Sequence, residues 1–163
     1  MAPTIHVTNE YKWFPEIHNL PVSIELDFTC NKDSDEFIPC FSYNQKQWGK
    51  GVCDALSWYM SPHRHDFTFR TGLFDGFPEE ERTPGFNVQV GQKYHMMCRI
   101  EETGAEYHID GEFYAKTNYS KGTVPITGYF GIAVYSPVDI LVENVSVLSL
   151  RGAYTKNARN TGE

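Results

Sequence analysis

What the chain has little of narrows the field first. No stretch of about 18 apolar residues occurs, so no membrane-spanning helix is expected. Positive charge is scarce: 14 Lys and Arg stand against 21 Asp and Glu, for a net charge of −7. A polyanion needs a basic footprint, so neither nucleic acid nor an anionic membrane surface is an expected partner. Cysteines number 4 (Cys30, Cys40, Cys53 and Cys98), and their spacings match no zinc pattern. They read as small, reduced side chains buried in or beside strands. The start, Met1-Ala2-Pro3-Thr4, has no basic segment leading into an apolar run of signal-peptide length, and a cytoplasmic chain is expected. Also missing are a phosphate-cradling glycine loop, a Ser-His-Asp order and a cysteine-centred catalytic signature.

What is present is aromatic and punctuated. Phe, Trp and Tyr make up 15% of the 163 residues, while Ala-, Leu- and Lys-rich helical stretches are few, a balance that favours strands. Val22–Phe28 alternates, with Val22, Ile24, Leu26 and Phe28 on one face. Further short runs follow at 37–43, 55–60, 66–71, 86–90, 94–101, 106–109, 112–115, 128–135 and 140–147. Each is bounded by Gly, Pro or Asp, and Asp110-Gly111 is a tight hairpin turn. Residues 72–85, with two prolines and Glu79-Glu80-Glu81, read as a long acidic loop. About ten short strands without a helix predict a two-sheet antiparallel β-sandwich of jelly-roll type, one domain over 1–150 with a polar tail at 151–163.

The order of these elements resembles the concanavalin A-like lectin/glucanase superfamily. The residues that carry the likeness are Val90-Gly91-Gln92-Lys93-Tyr94, His108-Ile109-Asp110-Gly111, Gly128-Tyr129-Phe130-Gly131 and Val142-Glu143-Asn144-Val145-Ser146-Val147. Among the small domains of that group, the sequence is most similar to the YesU-type and the 3-keto-disaccharide hydrolase-like ones. For the first of these the likeness extends upstream through Asp54–Tyr59, Thr68–Thr71 and Pro84–Phe86. The resemblance implies a carbohydrate-binding, lectin-like domain with its glycan on the concave sheet. A shared fold does not fix an activity.

The residues themselves offer one dense chemical cluster, Ser61-Pro62-His63-Arg64-His65-Asp66, with Arg70 close behind. Two imidazoles and a guanidinium can hold hydroxyls and a carboxylate, and a His titrating near working pH can serve as acid or base. His63, His65 and Arg70 are therefore the catalytic candidates of the alternative reading, a small lyase, hydrolase or isomerase acting on a glycoside. The bland reading is a polar hairpin connection. His63-x-His65 also suits a divalent ion, although no cofactor is otherwise called for. Strand parity sorts the ligand-binding candidates: Ser57, Tyr59 and Arg70 alternate with apolar neighbours, and Tyr43, Trp48, Arg64 and His95 complete the set. His95 and Arg99 either line the same groove as Arg70 or are satisfied surface residues, and the sequence favours neither. Trp58 reads as core. The Glu-x-Asp-x-x-Glu strand signature of glucanases is absent, which argues against ordinary two-carboxylate glycoside hydrolysis.

Overall fold

The computed structural model describes residues 4–8, 12–31, 40–44, 56–61, 66–71, 79–84, 88–132 and 139–150. Twelve strands run through them: β1 (Ile5–Thr8), β2 (Lys12–Asn19), β3 (Val22–Cys30), β4 (Cys40–Asn44), β5 (Leu56–Ser61), β6 (Asp66–Thr71), β7 (Glu79–Pro84), β8 (Lys93–Glu101), β9 (Gly104–Ile109), β10 (Glu112–Asn118), β11 (Thr127–Ile132) and β12 (Asp139–Ser149). They form two six-stranded sheets, ordered β1-β12-β3-β8-β9-β10 and β2-β11-β4-β5-β6-β7, and every adjacent pair is antiparallel. The fold is an all-β, two-sheet antiparallel sandwich, as the spacing of short strands implied.

Alternation builds the core. In β3, Val22, Ile24, Leu26, Phe28 and Cys30 are all buried, and Tyr94, Met96, Cys98 and Ile100 repeat the pattern in β8 beside it. The second sheet answers with Phe41, Tyr43, Leu56, Trp58, Phe130 and Ile132. Its aromatic rings interlock: Trp58 and Phe41 both stack near Phe130, with centroids 6.2 and 6.1 Å away, and Phe28 reaches Phe41 at 6.0 Å from the opposite sheet. The Trp58 indole N–H donates to Met96 Sδ at 3.3 Å, so the largest core residue is tied across the sandwich. Trp58 is core, as its sequence context implied.

Turn chemistry fixes the register of the first sheet. Asp110 (φ 51°) and Gly111 (φ 84°) both take the left-handed conformation a two-residue hairpin needs. The Asp110 carboxylate also accepts from the backbone N–H of His95 at 2.8 Å, locking the hairpin to β8. Buried Cys30 and Cys98 are free thiols, and burial pushes Cys30 up to about 12.

Three expectations change. β7 is a strand where an acidic loop was expected; its glutamates pair in register with Thr71, Arg70 and Phe69. It is an edge strand, which needs pairing on one side only and tolerates charge, so no apolar alternation announced it. Of the run 86–90, residues 88–90 are not strand: Val88 is buried in irregular chain and Val90 enters the turn. β1 and β2 were not anticipated, because β2 carries Pro15 and a register irregularity against β11 that scramble its periodicity.

Candidate ligand-binding faces

One cross-strand row runs the full width of the second sheet. Trp13 on β2 pairs with Gly131 on β11, Gly131 with Ser42 on β4, and Ser42 with Ser57 on β5. Ser57 then pairs with Arg70 on β6, and Arg70 with Glu80 on β7. These positions alternate with the buried Phe41, Tyr43, Leu56, Trp58, Phe130 and Ile132, so the row belongs to the sheet's outer face. At one end the Trp13 ring covers Gly131 so closely that a Cβ there would run into its six-membered ring. The glycine is what lets the indole lie flat on the sheet. The next row along the ladder is Cys40–Tyr59–Thr68–Arg82.

The sequence candidates divide under this geometry. Ser57, Tyr59 and Arg70 fall on neighbouring rows of one sheet, as their parity implied. Trp48, His63, Arg64 and His65 lie outside the described residues. The pair that flanks residues 62–65, Ser61–Asp66, stands four residues, roughly 14 Å, along the strands from Ser57–Arg70.

Two candidates do not share that face. Tyr43 is only 1% exposed, packed between the sheets, with its hydroxyl 3.1 Å from His18 O, and burial pushes its phenol pKa upward. It cannot meet a ligand on the outer surface; its parity matches Phe41, and both point inward. His95 lies on β8, in the other sheet, so the groove that would unite it with Arg70 does not exist. Its ring is instead held at both nitrogens, by Asp27 Oδ1 at 2.8 Å and Glu25 Oε1 at 3.0 Å. Those two hydrogen bonds, Asp27 first, raise its pKa despite partial burial. Burial pushes Asp27 upward, but hydrogen bonds from Asn144 and His95 outweigh it and leave the carboxyl below its ordinary value. An imidazolium engaged at both nitrogens has no lone pair to act as a base.

Sequence reasoning missed Trp13. The available signal was Gly131, a glycine inside an otherwise aromatic strand, which marks close approach by another group. A second hollow, about 350 Å³, opens between the sheets at the β1 and β2 edges, where Phe14, Val145 and Val147 flank His18. Burial there lowers the His18 pKa, although Glu16 opposes the shift. Among the described residues, no group of three or more His, Cys, Asp and Glu is arranged to hold a metal ion.

The class this architecture defines is the β-sandwich lectin fold, and solved structures agree. The carbohydrate-binding module CBM66 from Bacillus subtilis superposes with a TM-score of 0.65 at 14% identity, over 88% of this chain and 95% of that one. Chicken galectin 2 gives 0.63 at 11% identity, over 87% and 100%. A putative glycosyl hydrolase from Parabacteroides distasonis gives 0.58 at 12%, over 90% and 86%. No protein-family model matches the chain, and no curated protein matches it.

Proposed function

We propose that the chain is a carbohydrate-binding domain that holds a glycan across the outer face of its second sheet. The observation that carries this reading is the row itself: Gly131, Ser42 and Ser57 form a run of small residues between Trp13 at one end and Arg70 with Glu80 at the other. Four strand spacings separate Trp13 from Arg70, roughly 19 Å, a span suited to a short oligosaccharide. Sugar rings present C–H faces to aromatic surfaces and hydroxyls to planar polar groups. Trp13 and Tyr59 would supply the first, and Ser57 and Arg70 the second. Trp48, His63, Arg64 and His65 would add contacts from the adjoining connections. The fold shared with CBM66, whose name describes a carbohydrate-binding module, supports the assignment.

Thermal-shift screening against neutral and acidic mono- to oligosaccharides tests it, because binding to the folded state raises the melting temperature by mass action. A shift with one sugar class, reduced in Trp13→Ala and Arg70→Ala, is expected. A flat response across the panel would refute the assignment.

The alternative is an enzyme on the same sheet with His63 or His65 as acid/base, favoured by the YesU-type and 3-keto-disaccharide hydrolase-like resemblance and by the fold shared with the putative glycosyl hydrolase. It predicts turnover that His63→Ala or His65→Ala abolishes while saccharide binding survives. A lectin shows no turnover to lose.

A further inference from the structure

The outer face of the first sheet carries a polar depression that neither the Trp13–Glu80 row nor the His95 network uses. It has a volume of about 320 Å³ and is bounded by Arg99, Glu101, Gly104, Glu106, Lys116 and Asn118. Its origin is sequential. Gly104 pairs with Glu101 on β8 and with Asn118 on β10, yet brings no side chain to the surface between them. A Cβ there would meet Thr117 O at 2.9 Å and Asn118 Oδ1 at 3.3 Å, so the glycine lets β10 approach closely where the two strands line the depression.

The neighbouring row deepens it. Arg99, Glu106 and Lys116 lie directly across from one another on β8, β9 and β10, an order that ordinarily closes into a ladder of ion pairs. Here it does not close. Arg99 Nε donates to Glu101 Oε1 at 3.1 Å along its own strand, and Glu106 leans along β9 to His108 Nε2 at 3.4 Å. Lys116 makes no ion pair among the described residues. Both rim carboxylates therefore already hold partners. The spare capacity is in donors: the Lys116 ammonium, the remaining Arg99 N–H groups and the Asn118 amide.

Two further features suit a sugar ring rather than a bare ion. Phe113 is 59% exposed, and its ring meets His108 edge-on at 5.6 Å between centroids and 82° between planes. The Phe113–His108 pair sits two residues along β9, roughly 7 Å, and three along bulged β10 from the Lys116–Glu106 pair, so an apolar platform adjoins the depression. Beneath the rim, the Tyr119 hydroxyl lies 2.6 Å from Glu101 O and 3.0 Å from Gly104 O, fastening the β8–β9 turn from inside.

We infer that this depression is a second binding site, separate from the proposed row on the other sheet, and that it takes an acidic sugar. The carboxylate of a uronate would be received by Lys116 and Arg99, and ring hydroxyls would accept from Asn118 and donate to Glu101 and Glu106. The C–H face would rest on Phe113. A phosphate would fare worse, because its second negative charge faces the same two glutamates. A polar depression with an exposed aromatic beside it combines the two features that saccharide recognition uses.

The test is ligand-observed NMR titration of the full chain with glucuronate, and with glucose as the neutral counterpart. Saturable glucuronate binding of about millimolar affinity is expected, weakened by added salt and tighter than that of glucose. Lys116→Gln and Arg99→Gln, both at exposed positions, should each weaken it roughly tenfold, the loss of one charge-assisted hydrogen bond. The binding that Lys116→Gln removes should persist in Trp13→Ala and Arg70→Ala, whatever those variants lose on the second sheet. The inference is overturned by no saturable binding, by equal affinity for glucose, or by Lys116→Gln and Arg99→Gln binding as tightly as the parent. Glucuronate binding lost in Arg70→Ala but kept in Lys116→Gln would also overturn it while sustaining the row on the second sheet. Binding lost in Lys116→Gln and intact in Arg70→Ala supports the second site whatever becomes of the row.

Discussion

The two sheets have the same number of strands and the same antiparallel wiring, but their outer faces are built differently. The first sheet is laced with charge pairs and a charge-assisted hydrogen bond: His95 between Asp27 and Glu25, Lys93 against Glu143 at 3.1 Å, and the Asn144 amide donating to Asp27. The second sheet carries a lane of glycine and serine between Trp13 and Arg70. Charge pairs at a surface satisfy one another and leave little for a ligand, whereas the register of the second sheet brings small residues together between Trp13 and Arg70. The depression beside Gly104 fits the same rule inside the first sheet: it occurs where the expected ion ladder fails to close.

The comparison can be broken at its shared core. Trp58→Ala removes the residue that ties Phe41 and Phe130 to Met96 across the sandwich, and should cost about 3–5 kcal/mol in urea unfolding. Both outer faces would weaken together, since both stand on that core. A loss below about 1 kcal/mol would show that the sheets are not held this way.

Gly131→Ala sharpens the contrast on the second sheet alone. The new methyl displaces the Trp13 ring, with an expected cost of about 1–3 kcal/mol and weakened saccharide binding. Adding Trp13→Ala should recover part of the stability and none of the binding, as coupled neighbours do in a double-mutant cycle. Additive losses in chemical denaturation would mean that the ring and the glycine are independent.

On the first sheet the expected effect is smaller and depends on pH. His95 has a raised pKa in the folded chain, so its contribution is complete below the ordinary value of 6.5 and is lost as pH rises through the folded value. Asp27 has a lowered pKa, so its contribution is complete above 3.8 and is lost as pH falls through the folded value. The pair therefore supports the fold most fully between pH 3.8 and 6.5. With His95 and Glu25 each nearly half exposed, solvent screening holds the effect to roughly 0.5 kcal/mol. The stability gap between the parent and His95→Gln should narrow above pH 6.5. A gap that widens there would reverse the assignment.

How much of this was legible before the structure depends on whether a strand buries one face. β3 and β8 alternate strictly and were readable residue by residue, as was the Asp110-Gly111 hairpin, whose backbone demands those residue types. β2 and β7 are both edges of the second sheet, and edge strands need no strict alternation, so Pro15 and Glu79–Glu81 hid them. Parity placed Ser57, Tyr59 and Arg70 on neighbouring rows. It failed for Tyr43, where an aromatic with a polar tip fits an inward position as well as an outward one. His95 was grouped with residues of the other sheet because sheet membership is set by pairing between distant segments, which no local pattern reports. Trp13 joins Ser42 and Ser57 only through Gly131, more than a hundred residues downstream.

The central claim, a glycan lying across the second sheet, is tested most directly by backbone amide shifts in ¹⁵N-labelled protein titrated with the oligosaccharide that gives the largest thermal shift. The account predicts perturbations that follow the row from Trp13 through Gly131, Ser42 and Ser57 to Arg70, and leave β3 and the Asp27–His95 network unmoved. Perturbations confined to the first sheet, or none at saturating sugar, would contradict it.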